Sequence, residues 1–163
     1  MRVEGSTGSP SFALGVQGYQ FSDATSVADQ YDANWLMVKL HARKDSARWT
    51  TIEPCILPWE LRTLADWFAR VALREPKTVT EVNYDTRGPD AVTFVEPNVA
   101  FSVADYPSGG STIIRVHLSF VALGEGSDAD EIYGEHIDVE LERDAVLEAA
   151  ASLNADCLTY PVR

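Results

Sequence analysis

Apolar and polar residues alternate along much of this chain, and a period of two marks strands with one buried face. The run from Trp35 to Arg43 shows it most cleanly. Leu36, Val38, Leu40 and Ala42 fall on one side, Lys39, His41 and Arg43 on the other. A polar turn over Lys44–Arg48 and a return strand over Trp49–Ile56 complete an antiparallel pair. Ahead of it, Phe12–Val16 and Tyr19–Phe21, broken by Gly15 and Gly18, read as a short hairpin, and Ser22–Asp32 as a loop. Further strands are expected at Val79–Tyr84, Val92–Val95, Val99–Ala104 and Thr112–Val121. The turn compositions Arg87-Gly88-Pro89-Asp90, Pro97-Asn98 and Ser108-Gly109-Gly110-Ser111 separate them. In Thr112–Val121 the inward set is Ile114, Val116, Leu118 and Phe120; a later strand turns Ile137, Val139 and Leu141 inward and Asp138 and Glu140 outward.

Two segments change period. Leu61, Leu64, Ala65, Phe68, Val71 and Ala72 recur at helical spacing after Pro58, which suits a first helical turn, and before Pro76, which stops one. Glu60 near the start and Arg70 and Arg74 near the end complement the helix dipole. Val146, Ala149, Ala150 and Leu153 form a second stripe, with Asn154 as a left-handed cap. Short turns between strands adjacent in sequence favour antiparallel pairing. The expected class is therefore α+β: a mainly antiparallel sheet, curled or sandwich-like, with two packed helices at about 58–74 and 144–154. Residues 1–11, rich in Gly, Ser and Thr, read as a flexible tail, and 12–163 as one domain.

Composition sets outer bounds. The 163 residues are 45% apolar and 23% charged, ordinary globular usage. No apolar run approaches the ~18–20 residues of a membrane span, and the first residues lack a signal-peptide core. Cys55 and Cys157 are too few for a disulfide scaffold and lie among apolar neighbours, as small core residues do. A cytoplasmic protein without membrane contact is expected.

Charge adds a direction. Residues 1–77 carry nine Lys/Arg and nine Asp/Glu; residues 78–163 carry four and sixteen, and so the entire net charge of −12. Glu125, Asp128, Asp130, Glu131, Glu135, Asp138, Glu140 and Glu142 follow one another with no cation between them. Such a field repels phosphate backbones and attracts basic proteins, although a solvated face kept for solubility has the same composition.

Motifs for chemistry are scarce. His41 and His117 each fall on the polar side of an expected strand, near Lys39 and Arg43 or near Arg115; two imidazoles brought together could work as acid and base. No Gly-x-Ser-x-Gly elbow, phosphate loop or Cys-x-x-Cys pair is present. Asp128-Ala129-Asp130-Glu131 offers hard oxygen ligands but lacks the spacing of a calcium loop. Trp35, Trp49, Trp59 and Trp67 lie in a charge-neutral segment and read as core and subcore packing rather than as a base-stacking platform. No cofactor, metal or catalytic residue is assigned.

An ordered set of short motifs carries a resemblance. Gly18-Tyr19-Gln20-Phe21, Tyr31-Asp32-Ala33-Asn34-Trp35-Leu36, Trp49, Glu53-Pro54-Cys55-Ile56-Leu57-Pro58-Trp59-Glu60 and Leu64-Ala65-Asp66-Trp67-Phe68 come first. Glu96-Pro97-Asn98-Val99-Ala100-Phe101, Ile114-Arg115-Val116-His117-Leu118 and Tyr160-Pro161-Val162-Arg163 follow in order. Together they resemble the WapI-type immunity proteins of bacterial polymorphic and contact-dependent toxin systems, over about Phe12–Arg163. The departure is Pro58, where a hydroxyl residue capping the helix is expected. The resemblance implies an intracellular antidote, without catalysis, that binds the C-terminal domain of a cognate toxin and occludes its active or substrate-binding surface. Several such toxins are nucleases, which need a cationic surface to hold their substrate. A basic toxin domain is thus the expected partner, nucleic acid is not, and Glu125, Asp128, Asp130, Glu131 and Glu135 are the expected contact. Two other readings stay open: a protein-interaction module with no toxin partner, and a small hydrolase using His41, His117 or paired carboxylates.

Overall fold

The computed structural model describes residues 1–4, 10–23, 29–79, 81–83, 86, 88–119 and 133–163. In chain order these form β1 (Arg2–Glu4), β2 (Ser11–Tyr19), α1 (Gln30–Asn34), β3 (Leu36–Lys44), β4 (Ala47–Ile56), α2 (Pro58–Val71), β5 (Ala91–Val92), β6 (Val99–Asp105), β7 (Thr112–Ser119), β8 (Tyr133–Leu141) and α3 (Arg143–Thr159). Strands pair only with sequence neighbours, in two antiparallel four-stranded sheets ordered β1-β2-β3-β4 and β5-β6-β7-β8. The class is α+β.

Alternation in β3 does what its pattern dictates: Leu36, Val38, Leu40 and Ala42 are buried while Lys39 and His41 are exposed. A two-residue turn joins β3 to β4, with Asp45 in the left-handed region at φ 53°. Short polar side chains tolerate that conformation because they bond locally. In the second sheet Ile114, Val116, Leu118, Ile137, Val139 and Leu141 are buried, as the alternation requires; Phe120 lies outside the described residues.

One hydrophobic cluster draws on both sheets and on both long helices. Phe101 of β6 is its hub. Its ring meets Phe12 of β2 at 5.6 Å, Phe68 of α2 at 5.9 Å, Phe94 at 6.3 Å and Trp67 at 6.5 Å, mostly edge to face. From α2, Leu61, Leu64, Phe68 and Val71 are fully buried, each contributing roughly 1.5–3 kcal/mol of transfer free energy before conformational entropy opposes it.

Helix α2 starts without the expected hydroxyl cap. Leu57 takes the cap position with no side-chain bond, and the Glu60 carboxylate does the capping from the first turn, accepting Leu57 N–H at 3.0 Å. Its other oxygen accepts Val95 N–H at 2.7 Å, fastening the helix start to the β5–β6 connection. Burial raises the Glu60 pKa, and the two N–H bonds oppose the rise. The helix proper stops at Val71, short of the expected 74; Arg74 turns left-handed at φ 58°. Its guanidinium holds that turn by donating to the carbonyls of Pro107 and Ser111, both at 2.9 Å.

Several elements differ from expectation. Where a flexible tail was expected over residues 1–11, Arg2–Glu4 pair with β2, Met1 is buried, and its amino group donates to Leu14 O at 2.7 Å. Val3 supplies the reason, a buried apolar side chain that anchors the strand. The expected hairpin at Phe12–Phe21 is one strand, because Gly18, at φ 150°, absorbs its extra residue as a bulge. The loop over Ser22–Asp32 runs into α1, whose cap is Asp29, accepting Tyr31 N–H at 2.7 Å. Thr80 and Tyr84 of the strand expected at Val79–Tyr84 lie outside the described residues, and those described there, 79 and 81–83, carry no strand; Thr78 makes one parallel bridge to Val103, and the strand expected at Val92–Val95 is only Ala91–Val92. Helix α3 continues to Thr159, so Asn154 is no cap: its amide donates to Ala150 O, and Cys157 extends the buried stripe by another turn.

Candidate interaction site

Glu125, Asp128, Asp130 and Glu131 lie outside the described residues. Glu135, the last of the expected contact set, is exposed near the start of β8. Its carboxylate meets Lys44 Nζ at the end of β3, at 3.2 Å, and the same ammonium donates to His136 O at 3.2 Å. Lys44 thus ties the two sheets together at their edge and offsets part of the Glu135 charge. Further along β8, Asp138 receives two bonds from Arg115, at 2.7 and 2.6 Å, and Glu140 accepts Ser111 Oγ at 2.6 Å. The bidentate guanidinium holds the Asp138 carboxyl below the usual carboxylate range. The outward carboxylates of β8 are therefore oriented by neighbours rather than waving freely.

A second anionic surface is assembled from segments that sequence reading treated separately. Asp32 from α1, Glu53 from β4 and Glu96 from the β5–β6 connection line a cleft of ≈ 420 Å³ with Trp35, Phe21 and Asn98, and among the described residues no cation lines it. Phe21 is 38% exposed, so the cleft offers apolar as well as anionic contact. The signal was weak because each carboxylate is unremarkable in its own segment; only the pairing of β3 with β4 and the placement of the β6 entry bring them together.

The histidines do not form a catalytic pair. His41 is exposed on β3 with Nδ1 2.7 Å from Thr50 Oγ1, whereas His117 belongs to β7 of the other sheet. His117 departs from the expected polar, exposed side: it is 5% exposed, covered by Tyr133 and by the chain at Val79. Ser102 Oγ sits 2.7 Å from Val79 O and 2.9 Å from His117 Nε2. A carbonyl can only accept, so the single hydroxyl proton goes to Val79 O, and Ser102 accepts from Nε2–H. That polarity is the reverse of a nucleophile–base pair, and Ser102 is fully buried. The pair is a latch that secures residues 78–79 over β6. Burial, with Arg115 and His136 nearby, lowers the His117 pKa to about 4 and keeps the ring neutral.

The tryptophans behave as packing residues: Trp67 is buried, and Trp59 is half-buried against Tyr31 at 5.6 Å. Both cysteines are free and buried, and desolvation pushes the Cys55 thiol up to about 12. Among the described residues no group of three or more His, Cys, Asp or Glu is placed to hold a metal ion, and no helix is long and apolar enough to cross a membrane.

Comparison with known proteins gives one match. The family model of the WapI-like immunity proteins aligns with residues 2–161, nearly the whole chain and including β1. No curated protein and no solved structure matches.

Proposed function

The chain belongs to the WapI-like immunity protein family, and from that premise we propose that it is a non-enzymatic antidote, working in the cytoplasm, that binds a cognate toxin domain and occludes its active or substrate-binding surface. The observation that carries the reading is the extent of the family match, residues 2–161. The partner is basic, as a nuclease would be. The segment bearing Glu125, Asp128, Asp130 and Glu131, continued by Glu135, is its principal contact, and the chain from β1 onward acts as one recognition domain. The cleft of Asp32, Glu53 and Glu96 supports the same sign of partner, with Trp35 and Phe21 supplying apolar area beside the charge. Steering by such a surface acts on the association rate and weakens as salt screens it. Co-expression tests the function: the toxic C-terminal domain of a large secreted protein encoded beside this chain kills alone, and cells survive when both are made. Death despite soluble, folded protein would remove the reading.

A further inference from the structure

The outer face of the first sheet carries a charge opposite to that of the molecule. A trough of ≈ 820 Å³ runs there along β2. Its floor is made of small residues, Ser11, Ala13 and Gly15, and its walls of cations: Arg2 from β1 on one side, Lys39 and Arg43 from β3 and Arg48 from β4 on the other. His41 adds a fifth nitrogen-bearing side chain between Lys39 and Arg43. Among the described residues no carboxylate lines the trough. In a chain of net charge −12 this is a local reversal of sign.

Two features mark cations of the trough that find no counter-ion among the described residues. Arg43 and Arg48 are direct cross-strand partners, and like charges in that position are destabilising. Neither they nor Lys39 forms an ion pair with any described residue. Arg43 Nε is moreover buried with no hydrogen-bond acceptor, a donor that folding leaves unmatched. A carboxylate between the two guanidinium groups would relieve the like-charge contact. The shape selects further. A trough running along a strand accepts an extended chain at about 3.3 Å per residue. Among the described residues it has no exposed aromatic face for stacking bases.

We propose that this trough docks an extended, acidic segment of a partner protein. Its lining shares no residue with the cleft of Asp32, Glu53 and Glu96, and the proposal stands whether or not the partner is a toxin.

The test uses the full chain and a fluorescein-labelled decapeptide of alternating Glu and Ser, read by anisotropy at low ionic strength. Net charge alone predicts repulsion, so saturable binding that weakens with salt reports the trough. Lys39→Glu combined with Arg43→Glu should weaken binding by at least about tenfold, and Ala13→Leu, which fills the floor without changing charge, should weaken it as well. Lys77→Glu, on a cation elsewhere on the surface, should leave it unchanged. Circular dichroism of each variant distinguishes lost binding from lost folding, and Ala13→Leu keeps the test alive if the double reversal does not fold. Absence of peptide binding, equal weakening by Lys77→Glu, or tighter binding of a ten-nucleotide single-stranded RNA would overturn the proposal. So would salt-sensitive self-association abolished by the Lys39/Arg43 reversal, since the trough would then serve a second copy of this chain.

Discussion

Acidification should release the latch at His117, and its cost can be worked from the burial of the ring. In the unfolded chain the imidazole titrates at about 6.5; in the fold, desolvation together with Arg115 and His136 brings it to about 4. A depressed histidine pKa means that between these values the unfolded chain binds the proton more readily than the native state does. The contribution is therefore fully present above about pH 6.5 and is lost progressively as pH falls towards 4, below which the loss levels off. At about 1.4 kcal/mol per pH unit the span is worth about 3 kcal/mol. That is a large share of a typical domain's stability. Urea midpoints by circular dichroism between pH 7.5 and 3.5 measure it. Glu60, Asp138 and Asp156 also have displaced pKa values, so the informative quantity is the difference between wild type and His117→Gln, whose amide can still donate to Ser102 without titrating. Wild type should lose about 3 kcal/mol more than the variant across this window. Parallel curves would refute the assignment of a buried, neutral imidazole.

Other consequences follow from the packing and the charges. Phe101→Ala removes the hub of the aromatic cluster and should cost about 3–5 kcal/mol in urea unfolding, against well under 1 kcal/mol for truncating the exposed Leu158. Glu60→Ala strips two backbone donors, Leu57 N–H and Val95 N–H, of their acceptor; a loss of about 1–3 kcal/mol is expected, with faster hydrogen exchange at both amides. Reversing Glu125, Asp128, Asp130 and Glu131 together should slow association with the cognate toxin domain and flatten its salt dependence in stopped-flow measurements, while the dissociation rate changes less.

The parts of the fold that were legible in the sequence are those whose pattern repeats. β3 alternates over seven residues, β7 and β8 over shorter runs, and six stripe positions recur between Pro58 and Pro76, so period alone specifies the buried face. Misreadings occurred where tertiary partners decide. β1 has only three residues, and nothing local separates Val3 in a strand from Val3 in a tail until β2 is there to bury it. Val79–Tyr84 looks like a strand by composition, but among the described residues the second sheet is edged by the two residues of β5, and the Ser102–His117 latch holds the chain at Val79. His117 is on the polar parity of β7; its ring is buried with Tyr133 packed at 5.8 Å and Ser102 bonded to Nε2, tertiary partners that no period can reveal. Charge showed the same limit. The acidic run was visible as a block, whereas the cleft of Asp32, Glu53 and Glu96 and the opposing row of Arg2, Lys39, Arg43 and Arg48 exist only through strand register.

The central claim is neutralisation by binding, and titrating the purified toxin domain's activity with this protein tests it most directly. Inhibition should rise linearly with added protein and reach completion at a fixed stoichiometric ratio, with the complex eluting as one species and both chains intact. Activity that survives an excess of folded protein, or a toxin inactivated by a small fraction of an equivalent, would contradict the account, the first by removing the binding and the second by replacing it with catalysis.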